Sequence, residues 1–184
     1  MNRRIALIAT ISLPMFIGAC ATAPTSAAPQ VATIQTDKFS PEIAVESQHV
    51  TAQMDKGETS VEWWLGTAID KQSRIVAGTQ LFAHIVYIGT DWCHYESAFD
   101  DTAASLAVTA LNSHVSDCDE NGSCIFSETF AAFIPSKKLD TAASFQVKVG
   151  ALDCAPFYIT VGTEQVNAQT AGIQKAMASL VTSP

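Results

Sequence analysis

From Phe39 onward, short apolar segments recur along the chain with polar turn residues between them. That rhythm belongs to an all-β sandwich or barrel. It predicts strands near residues 43–52, 60–69, 75–88, 94–99, 104–115, 124–134, 144–151 and 156–161. After the last of these the spacing changes. Val166, Ile173, Met177 and Leu180 recur at helical intervals, and Thr163 with Glu164 suits a helix start, so one helix is expected over Thr163 to Leu180. The expected fold class is an all-β, immunoglobulin-like β-sandwich closed by a C-terminal helix.

Within the second expected strand stands Val61-Glu62-Trp63-Trp64-Leu65. Neighbouring side chains of a strand point to opposite faces, so one tryptophan fills the core and the other must be covered or exposed. The C-terminal helix is the expected cover. A ring left exposed would instead be a binding surface.

The chain before Phe39 has a different character. Ala21 to Thr36 reads ATAPTSAAPQVATIQT, without charge or apolar period, and buries too little to order itself. A flexible tether is therefore expected over residues 20–38 and a folded domain over 39–184. Further upstream, Asn2-Arg3-Arg4 precedes an apolar stretch from Ile5 to Phe16, followed by Ile17-Gly18-Ala19-Cys20. That order of charged, apolar and small residues is that of an export signal. The apolar stretch is shorter than the roughly 20 residues of a membrane span, and Pro14 interrupts it.

Ile-Gly-Ala-Cys resembles the lipobox of bacterial lipoproteins. In that family the cysteine thiol receives a diacylglycerol, the chain is cut just before it, and the new amine is acylated. The resemblance covers residues 1–20 and implies a signal peptide over 1–19, a lipidated Cys20, and membrane anchoring through fatty acyl chains such as palmitate. Ala21 rather than Asp after the cysteine implies, in Gram-negative members, delivery to the outer membrane, with the domain facing the periplasm.

Charge then narrows the partners. The 184 residues carry a formal charge of −8; removal of residues 1–19 takes away Arg3 and Arg4 but none of the 18 acidic residues, leaving −10. An acidic surface argues against nucleic acid and against electrostatic binding to anionic lipid. The membrane contact expected is the lipid itself.

Four cysteines follow Cys20: Cys93, Cys118, Cys124 and Cys154. An even number in an exported chain reads as disulfides, with three pairings possible. The polar turn between Cys118 and Cys124 favours joining its ends, which leaves Cys93 with Cys154. The same turn contains the sharpest motif of the chain. Asp117, Asp119, Asn121, Gly122 and Glu128 match the EF-hand calcium pattern D-x-D-x-N-G-x5-E, which supplies oxygens at alternate positions and a bidentate closing glutamate. Its surroundings are unsuitable: polar Asn112-Ser113-His114 precede it, Cys124 replaces the usual aliphatic residue, and no second loop exists. A disulfide-closed acidic turn is the favoured reading, a calcium site the alternative.

Catalytic signals are sparse. Trp92-Cys93-His94-Tyr95-Glu96 gathers reactive side chains, but Cys93 and His94 would face opposite ways, whereas His94 and Glu96 would share a face and form at most a proton-transfer pair. His84 sits in an apolar strand as a structural histidine would. His49 and His114 lack partners at metal-ligand spacing. Nucleophile elbow, phosphate loop and dinucleotide fingerprint are absent, so no cofactor, metal or catalytic residue is expected. The function expected is a lipid-anchored envelope protein acting as a non-catalytic interaction or accessory module, with a calcium-binding protein and a small periplasmic hydrolase as alternatives.

Overall fold

The computed structural model describes residues 30–54, 58–141 and 143–182. Residues 1–19 and the acylation candidate Cys20 lie outside them. The described chain forms eleven strands in two sheets with two helices: β1 (Thr33–Thr36), β2 (Glu42–Glu46), β3 (Val50–Met54), β4 (Thr59–Asp70), β5 (Val76–Gly89), β6 (Tyr95–Asp100), β7 (Ser105–Leu106), β8 (Val108–Ser116), β9 (Cys124–Ile134), α1 (Ser136–Thr141), β10 (Phe145–Ala151), β11 (Phe157–Val161) and α2 (Thr163–Thr182). The larger sheet has the order β1-β2-β4-β5-β9-β8, with β3 added on β4; the smaller is β11-β10-β6-β7. This is the all-β sandwich with a C-terminal helix that the sequence predicts, in enlarged form.

The β4–β5 hairpin is the spine of the larger sheet. Its strands hold one face apolar at every second residue, with Val61, Trp63, Leu65, Leu81, Ala83 and Ile85 all buried. On that inner face the smaller sheet contributes Ala98, Val147, Val149 and Ile159 to one shared core. Helix α2 takes the rest of the face. Its Ile173, Ala176, Met177 and Leu180 pack with Ile43, Val45 and Ile69 of β2 and β4. Burying such side chains stabilises each by about 1.5–3 kcal/mol.

Three details depart from the sequence-based expectation. The single strand expected over 43–52 is two strands, because the chain breaks at Ser47 to His49. There Ser47 continues the ladder by other means, its N–H reaching the Leu65 carbonyl (2.8 Å) and its hydroxyl accepting the Leu65 N–H (2.9 Å). The strand expected over 104–115 is also two, β7 in the smaller sheet and β8 in the larger, so the chain changes layers at Ala107. Lastly, β1 lies inside the segment expected as tether. Ile34 opposite Val45, packed with Ala32 against the α2 cluster, supplies the apolar burial that a four-residue strand needs.

The four cysteines pair as Cys93–Cys154 and Cys118–Cys124, with Cα–Cα distances of 5.1 and 3.9 Å.

Candidate functional site

Side chains at the alternate positions of β4, β5 and β9 point away from the core, onto the outer face of the larger sheet, against which no second described sheet packs. Here lie Trp64, Phe82 and Phe133, while Trp63 on the opposite face is buried. The helix expected to cover the outward tryptophan covers the inner face instead, because its apolar stripe meets Ile43, Val45 and Ile69. Trp64 is covered by His49, delivered by the break between β2 and β3. Their rings stack at 4.2 Å with planes 6° apart, and Trp64 stacks in turn on Phe82 at 5.3 Å and 8°. His49 Nδ1 lies 3.0 Å from Glu62 Oε1, which orients the imidazole at the end of the row.

Two glycines set the posture of the phenylalanines. A Cβ on Gly66 would stand 2.6 Å from the Phe82 ring, and one on Gly78 would overlap the Phe133 ring. Both rings therefore lean over bare backbone. Gly78 also holds φ at 129°, a conformation open to glycine. Between the two rings runs a trough of about 210 Å³ floored by Ala44, Ala68 and Gly78, with Glu46 and Gln80 as polar groups. The other side of Phe133, which is 41 % exposed, lines a second hollow of about 480 Å³ with Val76, Leu139 and Ile173. The surface offers ring faces and apolar floor with few charges. It suits contact with apolar or planar groups rather than proton transfer or metal binding.

The twelve residues of the calcium-like pattern are divided by the fold. Asp119 Oδ1 accepts the N–H groups of Asn121 (2.9 Å) and Ser123 (2.8 Å), shaping an exposed turn closed by Cys118–Cys124. Glu128, which would close a calcium loop, belongs to β9 and points into the core. Its Oε1 accepts the Tyr87 O–H (2.6 Å) and the His94 N–H (3.2 Å), and its Oε2 accepts the Tyr95 N–H (3.2 Å). Tyr87 in turn accepts the Cys93 N–H at 2.7 Å. Burial first, then the hydrogen bond to Glu128, pushes the Tyr87 phenol well above its ordinary range. A carboxylate so engaged anchors the loop that carries Cys93. Among the described residues no three His, Cys, Asp or Glu side chains gather as a metal site would require.

The remaining candidates are dispersed. His94, at φ 55°, and Glu96 are both exposed, and neither side chain makes a hydrogen bond among the described residues. His84 is half-buried and bonds Thr129 Oγ1 at 2.9 Å, the structural role expected of it. His114 lies exposed on β8. The sequence did not reveal Phe82 as the partner of Trp64, because that pairing depends on the register of the β4–β5 hairpin, nor Phe133, which reaches the same face from β9. The one local hint was Gly66 and Gly78 at strand positions that otherwise read apolar. Comparison with known proteins adds no precedent: no family model matches the chain, nor does any curated protein or solved structure at a significant level.

Proposed function

We propose that this chain is a bacterial lipoprotein, acylated on Cys20, held at the outer membrane facing the periplasm, and that its domain is a non-catalytic interaction module working through the outer face of the larger sheet. The observation that carries the module reading is the stacked row of His49 with half-buried Trp64 and Phe82, beside the trough between Phe82 and exposed Phe133. Apolar surface of this kind, bordered by polar groups, is a common mark of an interaction site. Two disulfides support an oxidising compartment, and the charged, apolar and small residues ending at Cys20 support the anchor. The test has two arms. Cells grown with labelled palmitate should label the wild-type chain but not Cys20→Ser, and the variant should leave the membrane fraction. Solubilised envelopes passed over the immobilised domain should yield a retained species that Phe82→Ser and Phe133→Asp both lose while remaining folded. Equal retention by these variants would sink the assignment of the face, and an unlabelled wild-type chain would sink the anchor.

A further inference from the structure

The larger sheet ends on β8, a strand of nine residues, Val-Thr-Ala-Leu-Asn-Ser-His-Val-Ser, whose far side pairs with no described strand. It is the longest free edge of the described chain. The other edge strands, β1, β3, β7 and β11, have two to five residues. Such edges carry unpaired N–H and C=O groups and are commonly guarded by Lys, Pro, a bulge or short length. β8 has no charged residue and no proline, and Leu111 and Val115 on it are 50 % and 42 % exposed. Its one irregularity is a bulge between Ala110 and Asn112.

We infer that β8 pairs with β8 of a second copy, antiparallel about a two-fold axis between Leu111 and Asn112, to join two larger sheets into one. The bulge sets this register. Before it, Val108 and Ala110 stand opposite inward-facing Ala132 and Phe130; after it, Ser113 and Val115 stand opposite inward-facing Glu128 and Phe126. The extra residue shifts the alternation by one. A two-fold between 111 and 112 then places every inward residue opposite an inward residue: Val108 faces the partner copy at position 115, Ala110 faces 113, and outward Thr109 faces 114. A slip of one residue would set inward against outward side chains. In this register the valines meet twice and the two exposed leucines adjoin the axis.

Charge selects the orientation in which two copies can meet. The chain is acidic, with 18 acidic against 10 basic residues, so most faces of two copies repel. The β8 edge is uncharged. Antiparallel pairing also puts the two acidic turns, Asp117 to Glu120, at opposite ends of the strand, about 30 Å apart at 3.4 Å per residue, well beyond the Debye length. Parallel pairing would set them side by side. Closed two-fold dimers are the commonest oligomers of identical chains.

The experiment uses the full-length chain in the envelope of cells that carry two copies with different tags. A photoreactive benzophenone residue at position 111 should give an adduct of twice the chain mass bearing both tags, whereas the same residue at Tyr158, exposed on the smaller sheet, should give none. Thr109→Lys with His114→Lys places like charges opposite each other twice and should cut the adduct severalfold. Thr109→Lys with His114→Glu places opposite charges there and should retain it, which separates register from folding, since both pairs change the same exposed positions. No doubly tagged adduct at 111, an equal one at 158, or an adduct joining one copy to a different protein would each overturn the inference. So would equal yields from the two charge pairs.

Discussion

Glu128 stands at an inward position of β9, where alternation alone demands an apolar side chain. It is tolerated because its two oxygens accept three hydrogen bonds, from the phenol of Tyr87 and the N–H groups of His94 and Tyr95. The arrangement converts a buried charge into a clamp on residues 93–95, one of which, His94, holds a left-handed φ of 55°. Removing the phenolic oxygen leaves the carboxylate with one donor fewer and the Cys93 N–H with none. Tyr87→Phe is therefore expected to cost about 1–3 kcal/mol at neutral pH. The pH dependence has a definite sign. The folded state keeps the Tyr87 proton above the ordinary range, while the unfolded chain loses it near pH 10, so unfolding releases a proton in alkaline solution and stability falls as pH rises. Urea unfolding at about pH 9 and 11 should show a steeper loss for the wild type than for Tyr87→Phe; parallel losses would mean that the phenol is not the group responsible.

At the scale of elements, α2 docks through a seam that is polar at its centre. Gln165 and Gln169, one turn apart, are buried; Gln165 donates to Ser47 Oγ and the Gln48 carbonyl, and Gln169 to the Val45 carbonyl (2.9 Å) and Thr67 Oγ1 (2.8 Å). Thr67 continues the chain to Thr79 at 2.7 Å. Gln169→Ala is expected to lower stability by about 1–3 kcal/mol, against less than about 0.5 for Asn167→Ala on the exposed side of the same helix. Denaturation midpoints of the two variants check this. The apolar stripe Val166, Ile173, Met177, Leu180 made the helix legible in the sequence, but it could not reveal the glutamines, since a polar residue on a helix reads as solvent-facing until a partner such as Thr67 is known. The same limit hid the break at Ser47, where a hydroxyl substitutes for the ladder, and the strand at Thr33–Thr36, whose burial comes from α2, more than a hundred residues later. Strand positions and cysteine pairing were legible because each depends on neighbours in sequence or on a count. The aromatic row was not, because His49, Trp64 and Phe82 meet only once three segments are in register.

The described residues form a sandwich of unequal layers, and the inequality leaves open an outer sheet face with the aromatic trough and an edge along β8 that no described strand pairs. The smaller sheet is fastened by Cys93–Cys154, which closes a separation of 61 residues and joins the start of β6 to the segment leading into β11, whereas Cys118–Cys124 closes only 6. Cross-linking restricts the unfolded chain more when the closed loop is longer, which gives about 4 kcal/mol for the first bridge and about 2 for the second. The shorter bridge closes an exposed turn, so its loss should leave the core packing intact. The longer one ends at buried Cys93, whose N–H and carbonyl already hold Tyr87 and Leu152, so its loss also frees the clamp around Glu128. Replacing Cys93 and Cys154 together by Ala should therefore lower the denaturation midpoint about twice as far as replacing Cys118 and Cys124. Thermal and urea unfolding of the two pairs, compared with the fully oxidised chain, checks the ratio; equal losses would mean that the smaller sheet is held by its core contacts rather than by the bridge.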